Sequence, residues 1–521
     1  MKKILLLLVL SNFALNIFSQ NLPKVLPENV GIDGKKLLFA DSVILNAISK
    51  KEIPGAVLAV VKDGKMAYLK AYGNKQVLPN AIPMDVNAVF DLASCTKPVA
   101  TAISAMILIE QGKIRLQDKV STYIPAFTQW QDTLGKRKKD VRIIDLLTHT
   151  SGLPPYTPVE ELKQKYGSPN PTGLIQYICG SKKDFEPRTN FQYSCLNFIT
   201  LQRIIEIVSE QNLRDFAKKN IFDVLGMKHT DFKPSGETLE RVAPTQKQSN
   251  GNVLKGIVHD PLAREMNGGI SGNAGLFSDA NDLAILVSAL QNGGEYNGKR
   301  ILSPLGIETM RSVPQGFETY GRALGWDVSS DFSSNQGDLF GKNTYGHTGY
   351  TGTSIIIDPD NNVSVILLTN RVHPVDKGEV VNLRAKVANV VASSIYSPSN
   401  KVSHYDEKVA EFENENPITT NDIVMIGNSL TENGGDWSKR FEISNVRNRG
   451  ISGDDALGIY NRIDEIIQGK PKKIFLMCGI NDVSHNLTTD SIVKMIDKII
   501  TKIQKESPKS KLYLQSVLPI N

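Results

Sequence analysis

Two β-hairpin patterns that lie far apart in the chain constrain its fold most strongly. The first spans 54–72, with Asp63-Gly64 between two β-rich runs, and the second spans 353–369. An Asp-Gly turn between such runs is typical of a hairpin. Between the hairpins the pattern is mainly helical, as in 98–112. We therefore predict an α+β fold, in which both ends of one domain form an antiparallel sheet and a cleft lies where the sheet meets an inserted helical region.

A second domain is indicated by strand and helix patterns that alternate after Asp422. Buried-strand runs at 423–426, 473–478 and 512–517 are separated by helical segments such as 491–505. Strands that alternate with helices predict parallel β-α-β units. The domains that we predict are 20–396 and 421–521, joined by a linker over the polar stretch 397–420.

The length and composition exclude several classes of protein. At 521 residues the chain is too long for one ordinary core, so about two to four domains are expected. Hydrophobic residues make up 40% and charged residues 22%, which is typical of a folded protein rather than a disordered or fibrous one. The net charge of +6 is spread along the chain without a basic block that contains aromatic residues, so we expect no nucleic-acid partner.

The N-terminus has the pattern of a secretory signal peptide. Lys2 and Lys3 precede an apolar run over 4–18 that is interrupted by two asparagines, and the small Ser19 offers a cleavage point. The run is too short for a comfortable membrane span. We predict a signal peptide over 1–19 and a periplasmic or secreted protein with no stable membrane span after cleavage; an uncleaved anchor is the alternative.

The four cysteines predict neither a disulfide framework nor a metal site. Cys95, Cys179, Cys195 and Cys478 are too few for a framework in a chain of this length, and their spacing matches no metal-binding pattern. We expect some or all of them to be free and packed as small buried side chains. A disulfide between Cys95 and Cys195 is left open, because its geometry cannot be derived from sequence.

Ser94 and Lys97 form the first candidate catalytic pair. Residues three apart lie on one face of a helix, so a helix that begins here places the hydroxyl and the amine side by side. Serine needs a base to become a nucleophile, and lysine serves as one when burial or positive neighbours lower its pKa. The spacing alone is weak, because Ser491 and Lys494 share it on a segment that we interpret as a solvated helix face.

Two downstream segments carry side chains that fit the same chemistry. Tyr193 can exchange protons with the serine and lysine pair. The segment His347-Thr348-Gly349 leads into a strand, where glycine would let a substrate backbone approach closely. A packed aromatic residue and a turn histidine are the structural alternatives for Tyr193 and His347.

The segments 94–97, 193–195 and 347–349, in that order, resemble the three motifs of the serine β-lactamase and D,D-peptidase superfamily. The resemblance covers roughly residues 30–395 and is nearest to class C β-lactamases, D-alanyl-D-alanine carboxypeptidases and related esterases. Two further stretches also look typical of this family, 146–153 and 272–278.

The resemblance implies a covalent acyl-enzyme on Ser94, with Lys97 and Tyr193 transferring protons. The backbone N–H groups of Ser94 and Tyr350 would form the oxyanion hole, and His149 would be structural rather than catalytic. The oxyanion and substrate-binding residues that it implies are Tyr350, His347, Thr348, Gly349 and Cys195.

Cys195 and His347 depart from the pattern that predominates in β-lactamases. The tyrosine motif usually ends in asparagine, whose amide can hold the lysine and a substrate carbonyl, and a thiol does this poorly. The third motif of β-lactamases usually has lysine where this chain has histidine, which is more frequent in peptidases and esterases. We expect acyl transfer to remain and β-lactam hydrolysis to be inefficient.

Ser429, Gly453 and Asn481 lie in the segments 426–432, 449–454 and 478–482, at strand ends, where open α/β sheets present their chemistry. These three segments resemble blocks one, two and three of the SGNH (GDSL-like) esterases, which implies a three-layer, flavodoxin-like α/β unit. The resemblance implies that Ser429 is a nucleophile whose oxyanion is stabilised by the Gly453 N–H and the Asn481 side chain. Loops that serve only to turn the chain are the structural alternative.

The histidine base of this second site is not found where the family has it. The family places an aspartate and a histidine three apart near the C-terminal end of the domain, and the sequence ends at Asn521, just after the third predicted strand. Asp482 and His485 have that spacing but come directly after the third block. We therefore expect this unit to be incomplete, with an open sheet edge, and its site to be inactive.

Together these patterns predict an exported serine hydrolase that acts through Ser94 on a D-amino-acid peptide, an ester or a β-lactam, without a metal or organic cofactor. The substrate would be a small molecule or derived from peptidoglycan. Two alternatives remain: a penicillin-recognising or cell-wall-binding module without turnover, and a sugar-ester esterase that works through Ser429. The sequence does not indicate an oligomeric state.

Overall fold

The computed structural model describes residues 21–396, 404–484 and 487–515. The chain divides into two compact units, Met1–Ser399 and Asn400–Asn521. The predicted signal peptide lies outside the described residues. In the part of the chain that is described, no helix is both long enough and apolar enough to cross a membrane.

The first unit combines short and long strands with many helices. Its strands are β1 (Gly55–Lys62), β2 (Lys65–Gln76), β3 (Ile82–Pro83), β4 (Phe90–Asp91), β5 (Trp130–Gln131), β6 (Lys138–Lys139), β7 (Phe277–Ser278), β8 (Glu295–Tyr296), β9 (Lys299–Arg300), β10 (Tyr345–Thr348), β11 (Ser354–Asp358) and β12 (Val363–Thr369). Its α-helices are α1 (Gly34–Leu37), α2 (Phe39–Ser49), α3 (Ile103–Glu110), α4 (Val120–Tyr123), α5 (Ile143–Leu147), α6 (Val159–Tyr166), α7 (Pro171–Gly180), α8 (Cys195–Ser209), α9 (Leu213–Ala217), α10 (Asp223–Leu225), α11 (Gly236–Arg241), α12 (Ala280–Gln291), α13 (Pro304–Arg311) and α14 (Val381–Ser394).

The main sheet of this unit joins both predicted hairpins in one antiparallel array. Its strand order is β10-β11-β12-β1-β2-β3, and β1 pairs with β12 with Ala56 opposite Thr369. The turn between β1 and β2 has positive φ at both Asp63 and Gly64, which matches the right-handed twist of the strands. The predicted α+β fold, with a sheet from both ends of the domain and helices inserted between them, is confirmed.

Helices cover both faces of the sheet, so β1 is buried along its whole length. Because strand side chains alternate between faces, Val57 and Val61 pack in a large core with α3, α8 and α12. Leu58 and Val60 pack in a second core with α2 and α14. Leu92 belongs to the larger core, which places the segment around the candidate nucleophile on the side of the inserted helices.

The second unit is a parallel α/β array. Its strands are β13 (Ile423–Gly427), β14 (Val446–Gly450), β15 (Lys473–Leu476) and β16 (Lys511–Leu514), in the order β14-β13-β15-β16. Its helices are α15 (His404–Asn414), α16 (Ser429–Glu432), α17 (Trp437–Phe441), α18 (Ala456–Arg462), α19 (Asp464–Gln468), α20 (Ile480–Ser484) and α21 (Thr489–Glu506). All three strand pairings are parallel, as the alternation of strands and helices predicts.

The structure differs from the sequence prediction at two places in this unit. The strand β14 was not among the predicted strands, because Arg447 and Arg449 interrupt its apolar pattern. Arg449 is nevertheless buried, where it pairs with Glu415 and Glu465. The stretch 397–420, expected to be a linker, contains the helix α15, whereas 397–403 lie outside the described residues.

Candidate active site

Ser94 and Lys97 are in direct contact. Ser94 lies in a short 3₁₀ turn, Ala93–Cys95, and Lys97 opens a π-helical turn, Lys97–Ala102, which continues into α3. The Lys97 Nζ donates a hydrogen bond to the Ser94 Oγ over 3.0 Å. The three-residue spacing therefore places the amine beside the hydroxyl, the arrangement that a lysine base requires.

The turn before Ser94 is held in a strained conformation. Ala93 has φ of 45°, a left-handed conformation that costs a non-glycine residue roughly 1 kcal/mol. Its N–H donates to the carboxylate of Asp91, which also accepts the N–H of His259. Burial raises the pKa of Asp91 to about 6, while both hydrogen bonds lower it. The Asp91 side chain thus fastens the turn that presents the Ser94 hydroxyl.

The Lys97 amine makes three contacts that fix its position. Besides Ser94, Nζ donates to the backbone oxygen of Asn273 over 3.0 Å and contacts the Cys195 Sγ at 3.6 Å. Burial lowers the pKa of Lys97, whereas attraction to the anionic forms of the Cys195 and Tyr193 side chains raises it. The attraction outweighs burial, so the pKa of Lys97 lies above its usual value. Burial raises the pKa of Cys195, which keeps that thiol neutral at pH 7 and removes its part of the attraction.

Tyr193 completes the predicted trio. The Lys97 Nζ lies 4.9 Å from the centre of the Tyr193 ring, and both Tyr193 and Ser94 line one cavity of 390 Å³. The ring stacks on His149 with centroids 4.4 Å apart. The structure therefore brings Ser94, Lys97 and Tyr193 together at the edge of a single cavity.

His149 packs against the Tyr193 ring and is not among the residues that line the cavity. It is fully buried, and its Nδ1 accepts the backbone N–H of Ser194, one residue after Tyr193. Burial and the charge of Arg322 hold the pKa of His149 well below its usual range. The neutral ring is a platform that orients Tyr193, which fits the structural role expected from the sequence.

The segment that begins with His347-Thr348-Gly349 is hydrogen-bonded to the turn that carries Ser94. The hydroxyl of Thr351 donates to the backbone oxygen of Asp91 over 2.7 Å, and that of Thr353 donates to Leu92 over 3.0 Å. The Cys95 Sγ contacts the backbone oxygen of His347 at 3.5 Å. These bonds hold the end of β10 and the turn that follows it against the segment that carries Ser94.

Gly349 is required by this close approach. A Cβ atom at this position would lie 2.3 Å from the Leu92 backbone oxygen and 2.2 Å from the Thr353 hydroxyl, which no side chain tolerates. The sequence led us to expect that glycine admits a substrate backbone. The structure gives another reason, because the space beside Gly349 is occupied by the protein's own turn.

Two backbone donors border the cavity without a partner. Among the residues that the structure describes, neither the Ser94 N–H nor the Tyr350 N–H donates a hydrogen bond. Both residues line the cavity, as do Thr348 and Gly349. Unpaired N–H groups beside a nucleophile are what an oxyanion hole consists of.

His347 and Cys195 contribute no charge to the site. His347 lines the cavity, and burial together with the charges of Arg322 and Lys97 holds its pKa well below the usual range, so the ring is neutral at pH 7. All four cysteines are free, as expected from their spacing. The question of a disulfide between Cys95 and Cys195 is thereby answered, since both are thiols.

Sequence reasoning missed two features of this site. The Asn273 carbonyl that accepts from Lys97 lies in the stretch 272–278, but its role follows only from the folded chain. Arg322 also lines the cavity, on a loop that carries none of the three motifs. No signal in the sequence pointed to Arg322, because it has no characteristic spacing from the other residues.

The second candidate site lies at the ends of parallel strands. Ser429 begins α16 after β13, and Gly453 follows β14 with φ of 84°. Asn481 follows β15, and its side-chain nitrogen donates to the backbone oxygen of Asp454 over 2.7 Å. Asp482 accepts the N–H of Ala456, while His485 lies outside the described residues.

Comparison with known proteins gives two families in the order of the two units. Residues 40–389 match the Beta-lactamase family, and residues 425–521 match the GDSL-like Lipase/Acylhydrolase family. Relatives from Salmonella gallinarum and Salmonella typhimurium are each 33% identical over 423 residues, which cover 76% of this chain and 97% of theirs. Both carry the provisional name D-alanyl-D-alanine carboxypeptidase.

Solved structures share the fold of the first unit's family. EstCE1, described as a hydrolase with promiscuous acyltransferase activity, aligns with a TM-score of 0.57 and 24% identity, covering 69% of this chain and 99% of its own. The octameric penicillin-binding protein homologue from Pyrococcus abyssi aligns with a TM-score of 0.53 and 22% identity, covering 72% and 81%. At these identities the likeness supports the fold alone.

Proposed function

Since the chain belongs to the Beta-lactamase family of serine hydrolases, we propose that it is an exported acyl hydrolase whose nucleophile is Ser94. The observation that carries this proposal is the 3.0 Å hydrogen bond between the Lys97 Nζ and the Ser94 Oγ at the edge of the cavity. A serine hydroxyl beside a buried amine has the base that it needs to attack a carbonyl.

In acylation, the enzyme form with an unprotonated Lys97 amine reacts, and this amine takes the hydroxyl proton as the Ser94 Oγ forms a bond to the carbonyl carbon. The carbonyl oxygen becomes negative and accepts hydrogen bonds from the N–H groups of Ser94 and Tyr350. When the tetrahedral intermediate collapses, the leaving group departs with a proton from Tyr193. Tyr193 then regains a proton from Lys97, whose Nζ lies 4.9 Å from its ring centre.

In deacylation, water attacks the acyl-enzyme and the same groups work in reverse. Tyr193 first passes its proton to Lys97 and then accepts one from the water, and the Ser94 Oγ leaves with the proton that Lys97 received. Because the water proton stays on Tyr193 and Lys97 is again unprotonated, the site ends in the state in which it began. His347 is neutral and takes no part in this transfer.

The preferred substrates are esters or D-amino-acid peptides, small or derived from peptidoglycan, and the place of action is the periplasm or the exterior. The relatives' name supports the peptide, and Cys195 argues against efficient hydrolysis of β-lactams. Its thiol replaces the amide that would hold a substrate carbonyl.

The change at Cys195 favours one second candidate, a penicillin-recognising module that is acylated without turnover. A further alternative, a sugar-ester esterase that acts through Ser429, rests on the family match of residues 425–521.

Replacing Cys195 with asparagine is expected to favour lactam substrates. The new amide would restore a hydrogen bond to Lys97 and to a substrate carbonyl, and one such bond corresponds to a change of about tenfold. We expect the ratio of kcat/KM for nitrocefin to that for p-nitrophenyl acetate to rise about tenfold in Cys195→Asn. Steady-state kinetics of both substrates, together with a D-Ala-D-Ala peptide, measure this ratio.

Cys195→Ser is the matched control, because its hydroxyl is too short to take the place of the amide, and the ratio should stay at the wild-type value. A ratio that is unchanged in Cys195→Asn would contradict the role assigned to this position. A burst of acylation without turnover for every substrate would favour the penicillin-recognising module.

A further inference from the structure

Asp260 is a carboxylate that one residue, Asn273, links to the Lys97 amine. Its Oδ1 accepts the side-chain N–H of Asn273 over 3.4 Å, and the backbone oxygen of Asn273 accepts the Lys97 Nζ over 3.0 Å. Asp260 is half-buried and is not among the residues that line the catalytic cavity. Its effect on the reaction therefore passes through its neighbours rather than through a contact with the substrate.

The local fold fixes the position of Asp260. Its Oδ1 also accepts the N–H of Ala263 over 2.7 Å, which ties the side chain to the helical turn Leu262–Met266. Its Oδ2 accepts the Tyr156 hydroxyl over 3.2 Å, and that hydroxyl accepts the N–H of Leu262. Both carboxylate oxygens are thus held by the turn and by a tyrosine that is itself bound to the turn.

Asn273 is fully buried and is held from two sides. Its Oδ1 accepts the Ser271 hydroxyl over 2.6 Å, whereas its amide nitrogen donates to Asp260. These two bonds set the orientation of the residue whose backbone oxygen receives Lys97. Because the Cys195 thiol, at 3.6 Å from the same amine, is a weak acceptor, the Asn273 oxygen is a principal partner of Lys97 beside Ser94.

No basic side chain among the described residues forms an ion pair with Asp260. Arg264, four residues along the chain, donates instead to Glu265 and to the backbone oxygens of Val258 and His259. The three hydrogen bonds to the carboxylate come from neutral groups. The charge of Asp260 is therefore free to attract protonated Lys97 across the buried Asn273, where water screens the attraction little.

The other ionisable groups around Lys97 supply no comparable negative charge at pH 7. The side chains that interact electrostatically with this amine are Cys95, His149, Tyr193, Cys195, Asp260 and His347. Of these six, Asp260 alone is a carboxylate. Burial raises the pKa of both thiols and lowers the pKa of both histidines, so all four groups are neutral.

The surroundings of Asp260 and of the two histidines complete this set of charges. Asp260 also faces Asp91, Tyr156 and His259, and the charge of Arg322 acts on His149 and His347. Burial lowers the pKa of Lys97, whereas attraction to Cys195, Tyr193 and Asp260 raises it. The attraction to a carboxylate thus agrees in sign with the hydrogen-bonded link through Asn273.

We propose that Asp260 is a positioning residue for Lys97, which orients Asn273 and whose charge favours the protonated amine. This inference rests on the proposed acyl transfer at Ser94. Acylation needs the unprotonated amine, whereas deacylation begins when the O–H bond of Tyr193 breaks and its proton forms an N–H bond on Lys97. The charge of Asp260 therefore slows the first step and speeds the second, and a residue with a merely structural role does not have these opposite effects.

The test separates the two steps in Asp260→Asn, which removes the charge and keeps the shape. Rapid-quench release of nitrophenol from p-nitrophenyl acetate measures acylation, and mass spectrometry of the intact quenched protein follows the decay of the acetyl-enzyme. On the acidic side of the pH profile, acylation should become about three- to tenfold faster, because its acidic limb moves to lower pH by about half a unit to one unit. Deacylation should become slower by a similar factor.

Three further variants accompany this test. Asp260→Glu keeps the charge, so the acidic limb should stay close to its wild-type position. Asp260→Ser removes the charge with a smaller side chain and should give the same two opposite shifts. Asp360→Asn makes the same chemical change in the exposed turn between β11 and β12, at the end of these strands remote from Gly352, and should change neither rate.

Two results would overturn the proposal. One is a fall of both rates together in Asp260→Asn and Asp260→Ser, and the other is an acidic limb that stays at its wild-type pH in both variants. Failure of the proposed function is seen separately, as turnover that survives in Ser94→Ala.

Discussion

Replacement of Ser94 with alanine is expected to lower kcat/KM for p-nitrophenyl acetate by about 10⁴-fold or more, down to what binding and the oxyanion donors alone provide. The Ser94 hydroxyl accepts a hydrogen bond from the Lys97 amine and lines the cavity. Without its oxygen no acyl-enzyme forms, and neither Lys97 nor Tyr193 has a hydroxyl to activate. The initial rate of nitrophenol release measures the loss.

Ser429→Ala is the matched control in the same chain. Its hydroxyl lies at the start of α16 in the second unit, and no described histidine donates to it or accepts from it. We expect its substitution to leave ester turnover at the wild-type rate. Activity that survives in Ser94→Ala but disappears in Ser429→Ala would place the reaction in the second unit and contradict the assignment.

Lys97→Met is expected to lower the rate of acylation by about 10³-fold. Methionine fills a similar volume in this fully buried position, so the loss reports the amine rather than a cavity. The variant removes the group that takes the Ser94 proton and the hydrogen bond that fixes the hydroxyl, and general-base catalysis contributes about 10² to 10⁴. Pre-steady-state release of nitrophenol measures acylation separately from turnover.

Lys97→Arg distinguishes a base from a mere positive charge. A guanidinium keeps the charge but does not give up its proton at neutral pH, so it should fail as Lys97→Met does. A thermal unfolding midpoint close to that of the wild type would show that the fold persists. Acylation within about tenfold of the wild-type rate in Lys97→Met would mean that Tyr193 alone activates the serine.

The sheet of the first unit was predictable because its signals are local. Asp63-Gly64 adopts the turn that its residue types favour, and the strand before it, β1, is buried on both faces. The strand β14 escaped prediction since Arg449 is buried by pairing with Glu415 and Glu465, partners that come from distant parts of the chain. The helix α15 was also missed, because its stretch of the sequence is polar and was interpreted as a linker.

In the candidate site, too, local features could be predicted from the sequence and long-range contacts could not. Ser94 and Lys97 could be paired from the sequence, because three residues of a helix separate them. The Asn273 carbonyl, the place of Arg322 in the cavity wall and the contact of Gly349 with Leu92 could not, since each depends on segments far apart in sequence that the fold brings together. Local spacing therefore predicted the candidate nucleophile and its candidate base, whereas these long-range contacts required the structure.

The most direct test of the central claim is to find which serine carries the acyl group. The protein is treated with a fluorophosphonate that labels activated serines, digested, and analysed by mass spectrometry of its peptides. The mechanism predicts that the label lies on the peptide that contains Ser94, and that Ser94→Ala and Lys97→Met abolish it while Ser429→Ala does not. A label found on Ser429 in the wild type, with Ser94 unmodified, would contradict the account.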